Sequence, residues 1–548
     1  MATILRVLVV VLAFGAQSAS ALVCDADADT DVDRVDLNLI GAARGTSVDA
    51  GDARDADGDQ KVTVIDGRIC SQRCTRLGCA AGTPPPAAND DAYQALGNVR
   101  ISIPAGGVAG ASDLLLNDLL LGGTLNGFGP ITGAETLPGD PGFSVNGGNL
   151  TVNADGSFAY DPPAGFEGVD SFRYKLTSGS GSDTATVTIT VDGMIWFVDD
   201  DASSGGTGRL TAPFACLVGP GCFGSVAPDD PGDNVFLFEG DYTGGLALLD
   251  AESLIGQGAS ATLAEITGLT LPPGSDPLPP TMPALQPAVT AAIPNLTLAQ
   301  GNLIRGLDLV TDGATGLSGT DFGHLEVSEV SVVNTNAVAI DLDTGNPAAS
   351  FEHVSANGGA SGIVLQNTTG SFSVSGGTIQ NATGAGVVLD NVGNVSLSDM
   401  NITNSGTDGI RATTLTDGLT VNRTTISDNS GSAGTDNAIE IGLNTSIGTL
   451  VSGTINITDS VIGPAAGAAP HDSLAIGISS GTSTWNVTNT IFRNTGRAAI
   501  FLETHGSSVV TAFTVAGSTF AGAGGLISAR GIFVNVLIRL SPRSVGGR

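Results

Sequence analysis

The sequence predicts a mainly β protein: a right-handed parallel β-helix preceded by a β-sandwich and a small α segment built on calcium-type loops. Three observations predict it. Glycine leads the composition at 78 residues, with only 5% aromatic and 14% charged residues, which suits short strands and tight turns rather than helices. An apolar residue following a small one recurs at Ile340, Ile363, Val387 and Ile410, in steps of 23, 24 and 23 residues. Two acidic twelve-residue stretches, 25–36 and 55–66, lie close to the N-terminus. At 548 residues the chain exceeds the roughly 250–300 that one core supports.

Residues 1–21 read as a secretory signal: Arg6, the apolar run LVVVLAF, then Ala19-Ser20-Ala21 as the cleavage site. That run is far short of the ~20 residues a membrane span needs, and no later segment looks transmembrane. The protein is therefore expected outside the cell or at its surface. A net charge of −33 without a basic stripe excludes a nucleic-acid partner and favours cation binding. The six cysteines of an exported chain point to disulfides. Cys216 and Cys222 are expected to pair locally. Cys24, Cys70, Cys74 and Cys79 leave three connectivities open, and a zinc site on the last three lacks a nearby His.

Segment 22–80 carries the calcium loops. In the first, Asp25, Asp27, Asp29, Asp33 and Asp36 fill positions 1, 3, 5, 9 and 12. In the second, Asp55, Asp57, Asp59 and Asp66 fill positions 1, 3, 5 and 12. Calcium takes six to eight oxygens, and this spacing wraps a loop around the ion, with position 7 (Asp31 and Lys61) giving a backbone carbonyl. Each loop precedes an apolar stretch, DLNLI and DGRIC. Asp at position 12 makes the pair resemble a type I dockerin repeat. That resemblance implies calcium as cofactor and a cohesin-like partner docking through 22–80. Thr30 and Gln60 depart from the Gly of regulatory loops at position 6, and the 30-residue offset between loops is wide.

A proline-rich linker, 81–88, leads into 89–192. There NLTVNADGSFAY reads as two strands around a turn at Asp155-Gly156, and DSFRYKLTSG and DTATVTITVDG as two more. Alternation places Val187, Ile189 and Val191 on one face. The stretch from Gly148 to Val191 resembles the cadherin-like Ig modules of bacterial surface proteins, which implies a sandwich acting as a spacer.

The β-helix is expected over 195–525. Its opening, IWFVDDDASSGGTGRLTAPFACL, resembles the first rungs of secreted pectate-lyase-like β-helices, and NLIRGLDL a later one. The apolar column continues at Ile439, Ile476 and Ile500 across longer steps. A second column holds Asn334, Asn357, Asn381, Asn404 and Asn429, whose amides can stack along the axis at a left-handed turn. The final stretch, 526–548, breaks the pattern as an irregular tail, as a truncated or frameshifted end would.

Chemistry on the solenoid is sparse. Asp343 and Asp390 fall in one outward column two coils apart, roughly 9–10 Å, near the upper limit for an inverting pair of carboxylates. They are the candidate catalytic residues if the chain cleaves an acidic polysaccharide, as a lyase or hydrolase of the pectate-lyase-like class. The paired-Asp and Gly-His-Gly elements of polygalacturonases are missing, and Arg411 is the only basic residue at a strand centre of the regular coils. The reading favoured by the sequence is non-catalytic: a calcium-binding surface protein whose β-helix contacts glycan or protein.

Overall fold

The structure is a computed structural model. It describes residues 23–75, 77–80, 84–226, 229–291, 295–429, 436–442, 449–464, 472–494, 498–504, 506–521, 527–530 and 536–538. The signal segment 1–21 lies outside them, as do His471 and His505. Among the described residues no helix is long and apolar enough to cross a membrane.

The N-terminal unit is a pair of short helices, α1 (Arg34–Ala42) and α2 (Val64–Gln72). Each begins with a capping box: Asp33 and Asp36 in α1, Thr63 and Asp66 in α2. The two halves reach across one another. Gly45 and Thr46, after α1, bond Val62 of the second loop, while Thr75, after α2, bonds Val32 of the first. Val32, Ile40, Val62, Cys24 and Cys70 form the small core. Such a core buries little, and Cys24–Cys70 and Cys74–Cys79 disulfides close it, choosing one of the three connectivities. Cys216 pairs with Cys222 as expected.

The sandwich follows. Gly168–Ser178 and Gly181–Val198 form an antiparallel hairpin, flanked by Thr124–Gly129 and by Asp91–Gly97. A second, four-stranded antiparallel sheet holds Ile101–Ile103, Phe158–Asp161, Asn149–Val152 and Pro141–Phe143. The turn at Asp155-Gly156 joins two of these strands, with Gly156 at φ 84°. Val187, Ile189 and Val191 face the core, at no more than 1% exposure. Tyr93, Phe158 and Phe172 pack edge-on and tilted there.

No spacer separates sandwich from solenoid. The strand Gly181–Val198 pairs with Asp91–Gly97 and Gly168–Ser178 along most of its length, then with Asn234–Leu237 at its end. Asn98, fully buried, donates Nδ2 to the Ile195 carbonyl (3.0 Å) and accepts from the Gly165 N–H (3.0 Å). Leu96, Val99, Ile195, Phe197, Phe236, Ile255 and Leu263 make a separate core across the junction.

From Ile195 onward every pairing between strands of the described residues is parallel. One interior column runs Ile340, Ile363, Val387, Ile410, Ile439, Leu474 and Ile500, all at 0% exposure. A second runs Phe372, Val395, Leu419, Ile455, Trp485 and Phe513, and a third Ile379, Ile402, Ile426, Ile462, Phe492 and Phe520. Each fully buried apolar side chain contributes roughly 1.5–3 kcal/mol, so the coils hold one another. The small residue before each strand has a cause: a Cβ on Gly362 would lie 2.6 Å from Ile379. Ile476 departs from the expectation. Leu474 stacks on Ile439, while Ile476 stacks on Ile441. The parallel ladder also passes 525. Ile527–Arg530 pairs with Ile500–Glu503 and Val536–Ile538 with Phe513–Val515, so paired strands extend the coil into the stretch read as an irregular tail.

Candidate metal centre and solenoid face

The capping boxes position the calcium-type carboxylates. Asp36 lies in the first turn of α1, fully buried, and accepts the N–H groups of Ala26 (2.6 Å), Asp27 (3.2 Å) and Asp33 (2.7 Å). Thirty residues on, Asp66 accepts from Ala56 (2.7 Å), Asp57 (3.2 Å) and Thr63 (2.6 Å) in the same way. At position 1, Asp25 takes the N–H of Asp29 and Thr30, both at 3.0 Å. Asp55 takes those of Gly58 (2.9 Å), Asp59 (3.1 Å) and Gln60 (2.7 Å). Thr30 and Gln60 adopt φ of 76° and 64°, the left-handed region where Gly is usual.

This arrangement gathers Asp25, Asp27 and Asp36 with ligand oxygens within 4.8 Å of one another. Asp29, Asp31 and Asp36 form a second such trio, and Asp55, Asp57 and Asp66 a third. Two oxygens on one calcium ion lie at most about 5 Å apart, so each trio matches part of such a shell. Asp33 stands outside the trios and caps α1 through the Val35 N–H (2.6 Å). Asp59 accepts the Lys61 N–H (2.9 Å).

The electrostatics fit a cation. Asp27 is pushed up to about 6, by partial loss of solvation inside the loop first and then by Asp36 and Asp29. Partial loss of solvation and the neighbours Asp59, Asp66 and Asp55 raise the exposed Asp57 as well. For Asp66, burial is outweighed by hydrogen bonds from Thr63, Asp57 and Ala56, and its carboxyl is held below the usual range. Donor sets of hard oxygens like these suit hard cations such as calcium or magnesium.

On the solenoid, Asp343, Gln366 and Asp390 stand on consecutive coils in one register column. Asp343 accepts from Thr344 Oγ1 (3.0 Å) and Asn367 Nδ2 (2.9 Å), and Asn391 donates in turn to Asn367 (3.0 Å). Asp343 thus ends an asparagine ladder at a corner where Thr344, Asn367 and Asn391 have positive φ. Asp390 accepts from Thr413 Oγ1. The neighbouring column runs Asp341, Val364, Val388, Arg411 and Glu440. Burial raises Asp341 and Glu440 above the usual range; Asp343 adds to the first, while Asn437 and Arg411 oppose the second.

The other corner carries the predicted ladder. Asn381 donates to Asn357 (2.7 Å) and Asn404 to Asn381 (2.6 Å). Asn334 and Asn429 are not part of it: Asn334 is buried and donates to Thr311, Ala314 and Val338, and Asn429 Oδ1 accepts the Ser405 N–H (3.3 Å). Positive φ in those two coils falls on Asn336 and Asp428.

Two arrangements had no signal in spacing. Glu252 is fully buried in the opening rungs, bonded by the Leu249 N–H (2.6 Å) and pushed up to about 8 by burial, with Asp229 and Asp233 adding. Asp161, from the sandwich, meets Thr211 and Arg209 of the solenoid opening.

Residues 84–193 match the bacterial cadherin-like domain family. No curated protein matches the chain. Among solved structures, the enzymatically active domain of bacteriophage CBA120 tailspike protein 2 is 11% identical, with a TM-score of 0.28, over 72% of this chain and 52% of that one. The chain thus spans about half the length of that domain. Pectate lyase Pel9A is 12% identical at a TM-score of 0.26, over 64% of this chain and 78% of its own. The A-module of the mannuronan C-5 epimerase AlgE6 of Azotobacter vinelandii is 13% identical at 0.25, over 57% and 92%.

Proposed function

We propose that this is a secreted or surface-held, calcium-binding protein that docks a partner through residues 22–80 and presents its β-helix to extracellular glycan or protein without cleaving it. The observation that carries the reading is the pair of loops in which Asp36 and Asp66 take the same three backbone bonds and gather the same carboxylates at a 30-residue offset. Calcium would be held by Asp25, Asp27, Asp29, Asp31 and Asp36 in the first loop. In the second, Asp55, Asp57, Asp59 and Asp66 would hold it. The ion neutralises charge that the loops leave unmet and fixes the helices relative to each other.

A docking face is supported by Val35 and Leu39 on α1 and Val64 and Ile65 on α2, each at least 40% exposed in a unit whose core is very small. A cohesin-like protein is the partner this face would suit. The non-catalytic reading of the solenoid rests on Asp343 and Asp390, whose carboxylates are engaged by neighbouring Asn and Thr side chains.

Calorimetry on the secreted chain tests the first half. About two calcium ions should bind, and none after Asp25→Ala with Asp55→Ala. Reducing-sugar and unsaturated-product assays on a polysaccharide panel test the second. Cleavage that Asp343→Asn or Asp390→Asn abolishes would establish the enzyme reading instead.

A further inference from the structure

We propose that the groove between the outer face of the four-stranded sandwich sheet and the solenoid opening binds a neutral saccharide. The site is separate from the outward solenoid face. The groove is open, about 290 Å³, and is lined by Phe143, Asn149, Thr151, Asp161 and Arg100 of the sandwich and Thr211 of the solenoid. It exists because the two walls are fixed to each other. Ser102 N–H donates to the Gly274 carbonyl (2.7 Å), Asp276 N–H to that of Arg100 (2.8 Å), and Arg100 pairs with Asp276 (3.0 Å).

Phe143 stands out by exposure. Among the described Phe, Tyr and Trp residues it is the one in the exposed class, at 60%, while the others are buried or half-buried. Its position on a wall of the groove that sandwich strands share with Thr211 gives the ring a purpose. An aromatic face is electron-rich and attracts the polarised C–H groups along one side of a pyranose ring.

Polar groups at the bottom of the groove complete the match. Asp161 is 8% exposed; its Oδ2 accepts from Thr211 Oγ1 (3.0 Å) and faces Arg209 Nη1 (3.5 Å). Around the ring, the side chains of Asn149, Thr151 and Thr211 offer donors and acceptors, and vicinal hydroxyls both donate and accept. The charge argues for a neutral ligand. Arg100 and Arg209 are each paired with an Asp, and the chain as a whole carries −33, so a uronate polymer would meet repulsion without a free cation to bind it.

The test is affinity electrophoresis of the full secreted chain in gels containing a neutral polysaccharide (β-glucan, galactomannan or arabinan) or an acidic one (polygalacturonate or alginate). At least one neutral polymer should retard the protein. Phe143→Ala should weaken that retardation at least tenfold, and Phe143→Trp should preserve it. The ring is exposed, so both variants should fold, with unchanged circular dichroism and melting as the check. Retardation by acidic polymers alone, by no polymer, or undiminished in Phe143→Ala would overturn the proposal. Retardation lost in Asp390→Asn but kept in Phe143→Ala would overturn it too, while supporting glycan contact at the solenoid face.

Discussion

At the solenoid corner, Asn381 gives its amide to Asn357 and takes that of Asn404, so each polar group meets another of the same kind one coil away. In the N-terminal loops, Asp36 accepts three backbone N–H groups and still stands within 4.8 Å of Asp25 and Asp27. Both regions are repeats of sharp turns held by short polar side chains. The difference is charge. Amide ladders close on themselves and need nothing from outside. Carboxylate loops of the same size accumulate like charge that a bound cation or a proton relieves. The first repeat can therefore serve as scaffold, whereas the second is conditional on its surroundings.

The largest expected break in this contrast lies in the solenoid interior. Val387→Asp would put a charge between Ile363 and Ile410, at an expected loss on the order of 3–5 kcal/mol. Denaturant unfolding followed by near-ultraviolet circular dichroism should show it with or without calcium. Unchanged midpoints would mean that the column is not a packed stack.

Next in size, Asp36→Ala and Asp66→Ala should each remove one calcium ion from the titration and free three backbone donors. The effect should be confined to the N-terminal unit. Limited proteolysis in calcium would cut 22–80 in these variants while the rest of the chain survives. A cut elsewhere would tie the two regions together more closely than the contrast allows.

Asn381→Val removes two ladder bonds and forces a β-branched residue to the φ of 60° held there, an expected loss of roughly 1–3 kcal/mol. Calcium should not restore it. Recovery on adding calcium would erase the distinction between the two kinds of turn.

Buried carboxylates allow a sharper comparison through pH. Glu252 has its folded value raised to about 8, so it is protonated in the fold at neutral pH. A raised acid favours the folded state below its unfolded value, near 4.3, and that advantage fades as pH climbs through 8. Glu252→Gln should flatten this dependence and raise the solenoid's melting temperature at pH 8 by a few degrees. Asp27, raised to about 6, has the same sign in the ion-free loops, with a smaller effect because it is exposed. Stability of the ion-free unit should fall slightly between about pH 4 and 6, and calcium affinity should rise over the same interval. A flat calcium-binding isotherm series from pH 5 to 7 would contradict it.

Much of this was legible in the residues themselves. Coil spacing identified the Ile340–Ile410 column because the regular coils leave one apolar residue per step after a small one. It failed at Ile476 since Leu474, Ile476 and Ile478 all point inward, and a period of two cannot say which of them continues a column. Asn spacing placed the ladder at 357, 381 and 404 but also matched Asn334 and Asn429; of the five, Asn381 and Asn404 hold the left-handed turn themselves, while Gly358, Asn336 and Asp428 hold it beside the others. The clustering of Asp25 and Asp27 with Asp36, and of Asp55 and Asp57 with Asp66, was readable because each set lies within twelve residues. Contacts between distant segments were not: neither the Cys24–Cys70 bridge nor the meeting of Asp161 with Arg209 leaves a local pattern.

The strand Gly181–Val198 carries a mechanical consequence. It is one continuous β-strand with the sandwich on its first part and the first solenoid rung on its last. Tension applied at the sandwich enters the solenoid along that strand's own axis. Its ladders to Asp91–Gly97 and Asn234–Leu237 are then loaded together in shear rather than peeled apart one bond at a time. A pull on one part is therefore resisted by the hydrogen bonds of both ladders.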